Sequence, residues 1–180
     1  QDTITLETPF QTMRPALGLY RCKIVEFISV VVRTSGEPVF QELVESNAIA
    51  KCVDLFFQYP FNNFLHHHVT TIIMSSIETD SAVLLDHLFK AVDLISRFIA
   101  LYNDDKVPGH GRFEGRVPFV SGNRGHVTMI GAKLIRGVAE GSHLKNILDS
   151  HEQWQAWKNG SLRESLWKED VRCIEVEALG

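Results

Sequence analysis

The chain has 180 residues, 44% of them apolar, which suffices for one domain with a substantial core. Its formal net charge of −4 offers no global attraction to nucleic acid or to an anionic membrane surface. No apolar run approaches the ~20 residues of a membrane span, and Gln1 to Gln11 lack the basic region and apolar core of a signal peptide.

Residues 1–16 are polar, carry Pro9 and Pro15, and read as an arm. A first helix is expected from about Leu17 to Arg33, burying Tyr20, Ile24, Phe27, Ile28 and Val31. Gly36 closes it, and Pro38 sits where proline is tolerated, in the first turn of a second helix carrying Val39, Phe40, Leu43 and Val44. After a break at Ser46-Asn47, a third helix spans Ala48 to Gln58 with Ile49, Cys52, Val53, Phe56 and Phe57 on one face. Pro60 stops it, and Tyr59 before the proline is pushed away from the α region. Asn62 or Asn63 caps a fourth helix that runs to about Glu78, with Leu65, Val69, Ile72, Ile73 and Ser76 as its stripe. Two helices about a five-residue corner make an αα-hairpin.

Asp80 or Ser81 caps a fifth helix with Leu84, Leu85, Leu88 and Phe89, and a bend at Val92-Asp93 leads to a sixth with Leu94, Ile95, Phe98, Ile99 and Tyr102. Residues 103–123 read as a long loop rich in Gly and Pro, and a seventh helix follows from about Gly125 to Ala139. Short helices then carry Leu144, Ile147 and Leu148, the tryptophans 154 and 157, and Leu166 with Trp167. Ser150/Gln153 and Ser161/Glu164 are expected to act as capping boxes there. The expected organisation is an arm at 1–16, a helical domain at 17–170 with the inserted loop 103–123, and an unassigned tail at 171–180.

A shift of 45 residues superposes Leu65, Val69, Ile72, Ile73 and Ser76 on Tyr20, Ile24, Phe27, Ile28 and Val31. The same shift carries Ile49, Val53 and Phe57 onto Leu94, Phe98 and Tyr102. A period of ~40–47 residues belongs to HEAT and armadillo arrays. The recurring order short, medium, long helix favours the three-helix armadillo layout. The fold class expected is therefore an all-α helical-repeat solenoid of armadillo/HEAT type.

No constellation carries enzyme chemistry. Successive residues of His66-His67-His68 point about 100° apart on a helix, so the three cannot ligate one metal, and none has a His or carboxylate four residues away. Gly109-His110-Gly111-Arg112-Phe113-Glu114-Gly115 lacks both the lysine of a phosphate loop and a preceding strand. No nucleophile elbow is present, and Asp104-Asp105 reads as a solvated pair. Cys22, Cys52 and Cys173 are odd in number and far apart, which is intracellular usage without a disulfide framework. No catalytic residue, metal or cofactor is expected.

The stretch Leu55-Phe56-Phe57-Gln58-Tyr59-Pro60-Phe61-Asn62-Asn63-Phe64-Leu65-His66 resembles the signature of the SAPS-domain proteins, regulatory subunits of protein phosphatase 6. Arg14-Pro15-Ala16-Leu17-Gly18 leading into Lys23–Val30, and Gly125-His126-Val127-Thr128 with Ile130 and Leu134, are similar to the same family. The resemblance covers about residues 14–167 and looks like the C-terminal portion of that longer domain. It implies a non-catalytic regulatory or scaffolding subunit that binds the phosphatase catalytic subunit and directs it to substrates, in the cytoplasm or also the nucleus. An armadillo-like adaptor for trafficking or cytoskeletal partners is the alternative. An enzyme built on His110, His126 and the basic loop is a remoter one.

Candidate partner contacts follow from helix geometry. Third helices of armadillo repeats line the groove, which would present His67, Thr70, Thr71 and Met74 of the fourth helix, with Phe64 at the edge. Asn62 and Asn63 are one amide more than a cap needs. Lys106, Arg112, Arg116 and Arg124 make the loop locally basic, a match for an acidic partner surface.

Overall fold

The computed structural model describes residues 6–8, 11–13, 16–103 and 121–168; Arg112, Cys173 and most of the long loop lie outside them. The domain is all-α. Nine helices follow one another among the described residues: α1 (Leu19–Thr34), α2 (Glu37–Glu45), α3 (Ala48–Gln58), α4 (Asn63–Thr79), α5 (Ala82–Asp86), α6 (Leu94–Asn103), α7 (Arg124–Arg136), α8 (His143–Ser150) and α9 (Trp154–Asn159). A π-helical turn, His87–Ala91, prolongs α5, and residues 161–168 form a closing helical stretch. The arm differs from expectation. It holds two three-residue strands, β1 (Leu6–Thr8) and β2 (Gln11–Met13), paired antiparallel with Leu6 opposite Met13. Strands this short leave too little alternation to be read.

Local chemistry sets the joints. Asn47, Asp80 and Asp93 take left-handed backbone angles (φ 58°, 53° and 50°), which Asn and Asp tolerate better than other side chains. Ser81 Oγ accepts from Leu84 N at 3.5 Å and Ser142 Oγ from Lys145 N at 3.2 Å, capping α5 and α8. The two expected capping boxes do not form. Ser150 is still inside α8 and donates to the Ile147 carbonyl at 2.8 Å. Ser161 is already helical, and Glu164 instead pairs with Lys168 at 2.6 Å.

The helices stack in three ladders, each joining elements three apart. α1 lies along α4, and α4 along α7. α2 packs on α5, and α5 on α8. α3 meets α6 through Arg97, whose guanidinium bonds Asp54 at 2.8 Å and covers the Phe57 ring at 4.5 Å, and through the Phe57–Phe98 ring pair. Phe98 in turn meets Trp157 of α9 at 6.0 Å. Helices α2–α3–α4 and α5–α6–α7 are thus successive repeats, and α8, α9 and 161–168 form a third, shorter one that the sequence shows only as a run of short helices. Trp154 and Trp157 are buried there; Trp167 is exposed.

One continuous core results, and the stripes expected on α3 to α6 and on α8 line it, with Phe57 and Ile99 at its margin; Val127, Ile130 and Leu134 of α7 join them. On α1 the expectation holds at Ile28 and fails at Tyr20, Ile24 and Phe27. Val25, Ile28, Ser29 and Val32 are its buried residues, whereas Tyr20, Ile24 and Phe27 are 87%, 58% and 68% exposed. The helix carries two adjacent apolar stripes that share Ile28, so periodicity alone cannot say which one meets α4. Val39 on α2 is likewise more exposed than expected.

Gly131 marks where the closing stretch meets α7. A Cβ there would fall 2.6 Å from Leu162 Cδ1, and Leu162 is itself fully buried. Gly131→Ala should therefore destabilise by about 1–3 kcal/mol through overpacking, measurable by urea unfolding. An unchanged midpoint would mean that 161–168 does not dock on α7.

Candidate functional site

The α3–α4 corner and the start of α7 interlock. Tyr59 N closes α3 on the Leu55 carbonyl, and Asn62 N turns back to the Tyr59 carbonyl at 3.1 Å. Asn62, rather than Asn63, caps α4, its Oδ1 accepting from Leu65 N at 3.1 Å. The Tyr59 carbonyl also accepts from His66 Nε2 at 2.8 Å. From the other side, fully buried Asn123 donates through Nδ2 to the Phe56 carbonyl at 3.2 Å and accepts from Ser121 Oγ. Gly122 allows this approach, since a Cβ there would fall 2.8 Å from the Pro60 carbonyl oxygen.

His126 ties α7 to α4. Its Nε2 faces Asn63 Oδ1 at 2.9 Å and its Nδ1 faces Thr70 Oγ1 at 3.0 Å. The amide oxygen can only accept, so Nε2 carries the proton; in the neutral ring Nδ1 then accepts from the Thr70 hydroxyl. The same logic holds for His66, whose Nε2 must donate to a carbonyl while its buried Nδ1 has no partner. A second proton on His66 would put an unsolvated charge beside Phe56, whose ring centroid is 4.9 Å away. Burial accordingly pushes the His66 pKa down to about 4, against the weaker pull of the Tyr59 carbonyl. Burial lowers His126 as well, with a smaller push from His67.

Each candidate contact residue except Arg112, which lies outside the described residues, then finds a place. The Asn63 amide oxygen is engaged within the chain. Phe64 is 79% exposed and His67 is exposed beside it on the first turns of α4. Thr71 is half-buried and its hydroxyl donates to the His67 carbonyl at 3.0 Å. Met74 is half-buried against the core. Thr70, expected on the groove face, is buried instead, because α7 packs over that side of α4. Arg124 stacks over Tyr102 (4.6 Å) and donates to the Tyr102 carbonyl at 3.3 Å, so its guanidinium already has partners. Asn62, Asn63, Phe64 and His67 thus cluster at the corner, and Thr71 and Met74 continue along α4. Gly122 and Asn123 belong to the same junction and were read only as loop; an Asn just ahead of a helical stripe was the available signal.

His66, His67 and His68 diverge into buried, exposed and half-buried settings. Among the described residues no three His, Cys, Asp or Glu come together as a metal would require. Burial pushes the Cys52 thiol up to about 12, far from a reactive thiolate.

The family profile described as SAPS, SIT4 phosphatase-associated protein, matches residues 36–171. The chain belongs to this SAPS family. Among relatives of this SAPS chain, serine/threonine-protein phosphatase 6 regulatory subunit 3 of Gallus gallus is 28% identical over 195 residues, covering 94% of this chain and 22% of that protein. Serine/threonine-protein phosphatase 6 regulatory subunit 1 of Mus musculus is 25% identical, covering 97% of this chain and 22% of its own length. Extragenic suppressor of kinetochore protein 1 of Schizosaccharomyces pombe is 28% identical over 137 residues, 69% of this chain and 15% of the relative. The SAPS chain therefore spans about a fifth of the curated relatives it matches. No solved structure matches it. Among the described residues, no helix is long and apolar enough to cross a membrane.

Two of the family-like blocks meet in space. The Leu55–His66 stretch and the Gly125–Thr128 stretch touch through Asn63 and His126, and Lys23–Val30 lies on α1 against α4.

Proposed function

We propose that this chain is part of a non-catalytic regulatory subunit, cytoplasmic or also nuclear, that binds the catalytic subunit of a protein phosphatase 6-type serine/threonine phosphatase and directs it to substrates. The observation that carries this reading is the family match across 36–171, joined by relatives named as regulatory subunits of that phosphatase. Phosphoester hydrolysis would be the partner's chemistry; this chain contributes a rigid surface. The surface proposed is the outer face of α4 beside the locked corner, where exposed Phe64 and His67 stand next to Asn62 and Asn63, with Thr71 and Met74 behind them. An exposed aromatic held on a rigid first turn is the kind of side chain that anchors protein interfaces.

Co-purification of the catalytic subunit with the intact subunit is the test. Phe64→Glu combined with His67→Glu should weaken recovery at least ~10-fold while the melting temperature moves by less than ~2 °C, as expected of surface changes. Met74 is unsuitable for such a change, because it packs on the core. Undiminished recovery with the double variant would remove α4 from the interface. Absence of any phosphatase catalytic subunit from the parent pull-down would remove the proposal itself.

A further inference from the structure

The bare stripe on α1 is the counterpart of a buried one. Leu65, Val69 and Ile72 of α4 are fully buried, and their equivalents 45 residues earlier are the exposed Tyr20, Ile24 and Phe27. Leu19 and Val30, also exposed, extend the apolar surface. The difference is one of cover. α4 is the third helix of a repeat that begins with α2 and α3, and it is covered by α3 of that repeat as well as by α1 before it. α1 stands in the same ladder as α4 and α7, so it too is a third helix, yet no first and second helix accompany it among the described residues. Its other face already meets α4 through Val25, Ile28 and Val32.

We propose that the Tyr20, Ile24 and Phe27 stripe is the seat of two further helices of the same polypeptide, lying upstream and standing to α1 as α2 and α3 stand to α4. Five large apolar side chains on one helix form the kind of patch that marks an interface rather than a solvated surface. Chain length allows for the occupant, since the relatives carry far more sequence than the 22% matched here. The connection is also precedented within the chain. Residues 104–123 intervene between α6 and α7, a second and a third helix of one repeat, and residues 1–18 stand in the same position ahead of α1. The partner is thus an amphipathic helix pair supplied in cis, with an apolar face matching the one α2 and α3 turn inward.

The test begins with the coding sequence upstream of Gln1, which should specify two amphipathic helical segments. Hydroxyl-radical footprinting of the polypeptide carrying them should show Tyr20 and Phe27 several-fold less reactive than in residues 1–180 alone. Phe27→Glu should lower the melting temperature of the extended polypeptide by more than ~5 °C, and that of 1–180 by less than ~2 °C. Equal reactivity of Tyr20 and Phe27 in the two lengths would overturn the proposal, as would an upstream sequence without such helices. So would a dimer of 1–180 that protects the stripe, splits on Phe27→Glu, and has no counterpart in the extended chain's behaviour; the occupant would then be a second copy.

Discussion

Leu65→Ala and Phe56→Ala are each expected to lower the unfolding free energy by about 2–5 kcal/mol, the range for large-to-small changes where the surroundings cannot collapse. Both side chains are buried, Leu65 in the first turn of α4 and Phe56 in the last turn of α3. Phe56 also walls the corner, with its ring edge-on to Phe57 at 5.2 Å and tilted against His66 at 4.9 Å. Its loss should reach beyond the cavity, because His66 packs on that ring while it is bonded to the Tyr59 carbonyl. Marginal stabilities of ~5–15 kcal/mol make either loss a large fraction of the whole. Urea unfolding monitored by tryptophan fluorescence suits the measurement, since Trp154 and Trp157 are buried in the adjoining repeat. A loss below ~1 kcal/mol at both positions would place the core elsewhere.

Acid should loosen the same corner well above the pH where carboxylates titrate. The folded chain holds His66 near pKa 4 and His126 below the usual 6.5, in both cases mainly by burial. The unfolded chain returns both to ordinary values and so binds more protons between pH ~6.5 and ~4. Stability is then complete above pH ~6.5 and falls as pH drops toward ~4, by up to roughly 3 kcal/mol for His66. His66→Gln keeps a donor for the Tyr59 carbonyl without a titrating ring. Its unfolding free energy should be flatter across this window than that of the parent, read as denaturation midpoints at pH 7.5, 6, 5 and 4.5. Parallel pH profiles for parent and variant would show that His66 is not held neutral by the fold.

Much of the architecture was legible because α3, α4, α6 and α8 each carry one clear apolar stripe, the first three bounded by Pro60, Asn62 or Asp93; the Ser142 cap of α8 was not read. The repeat register was legible for the same reason. α1 was not, because two apolar stripes share Ile28 and only the position of α4 selects Val25 and Val32 over Tyr20, Ile24 and Phe27. The junction was half legible. A proline corner and a capping Asn are local signals, whereas the bonds from Asn123 to Phe56 and from His126 to Asn63 join residues over sixty positions apart, which no periodicity encodes. The expected groove face departs from the structure at Thr70, where a neighbouring helix covers what a lone helix would show, and at Met74, which packs partly on the core.

The three left-handed residues at the joints, Asn47, Asp80 and Asp93, bear on recognition. A glycine at each would relax the angle between successive helices and let the array breathe. Side chains that accept this conformation hold the joint while removing much of that slack. A partner meeting such a surface has little ordering entropy to overcome, so affinity can come from a few contacts rather than from a large footprint. Glycine at all three joints would be felt first in how fast a bound partner leaves.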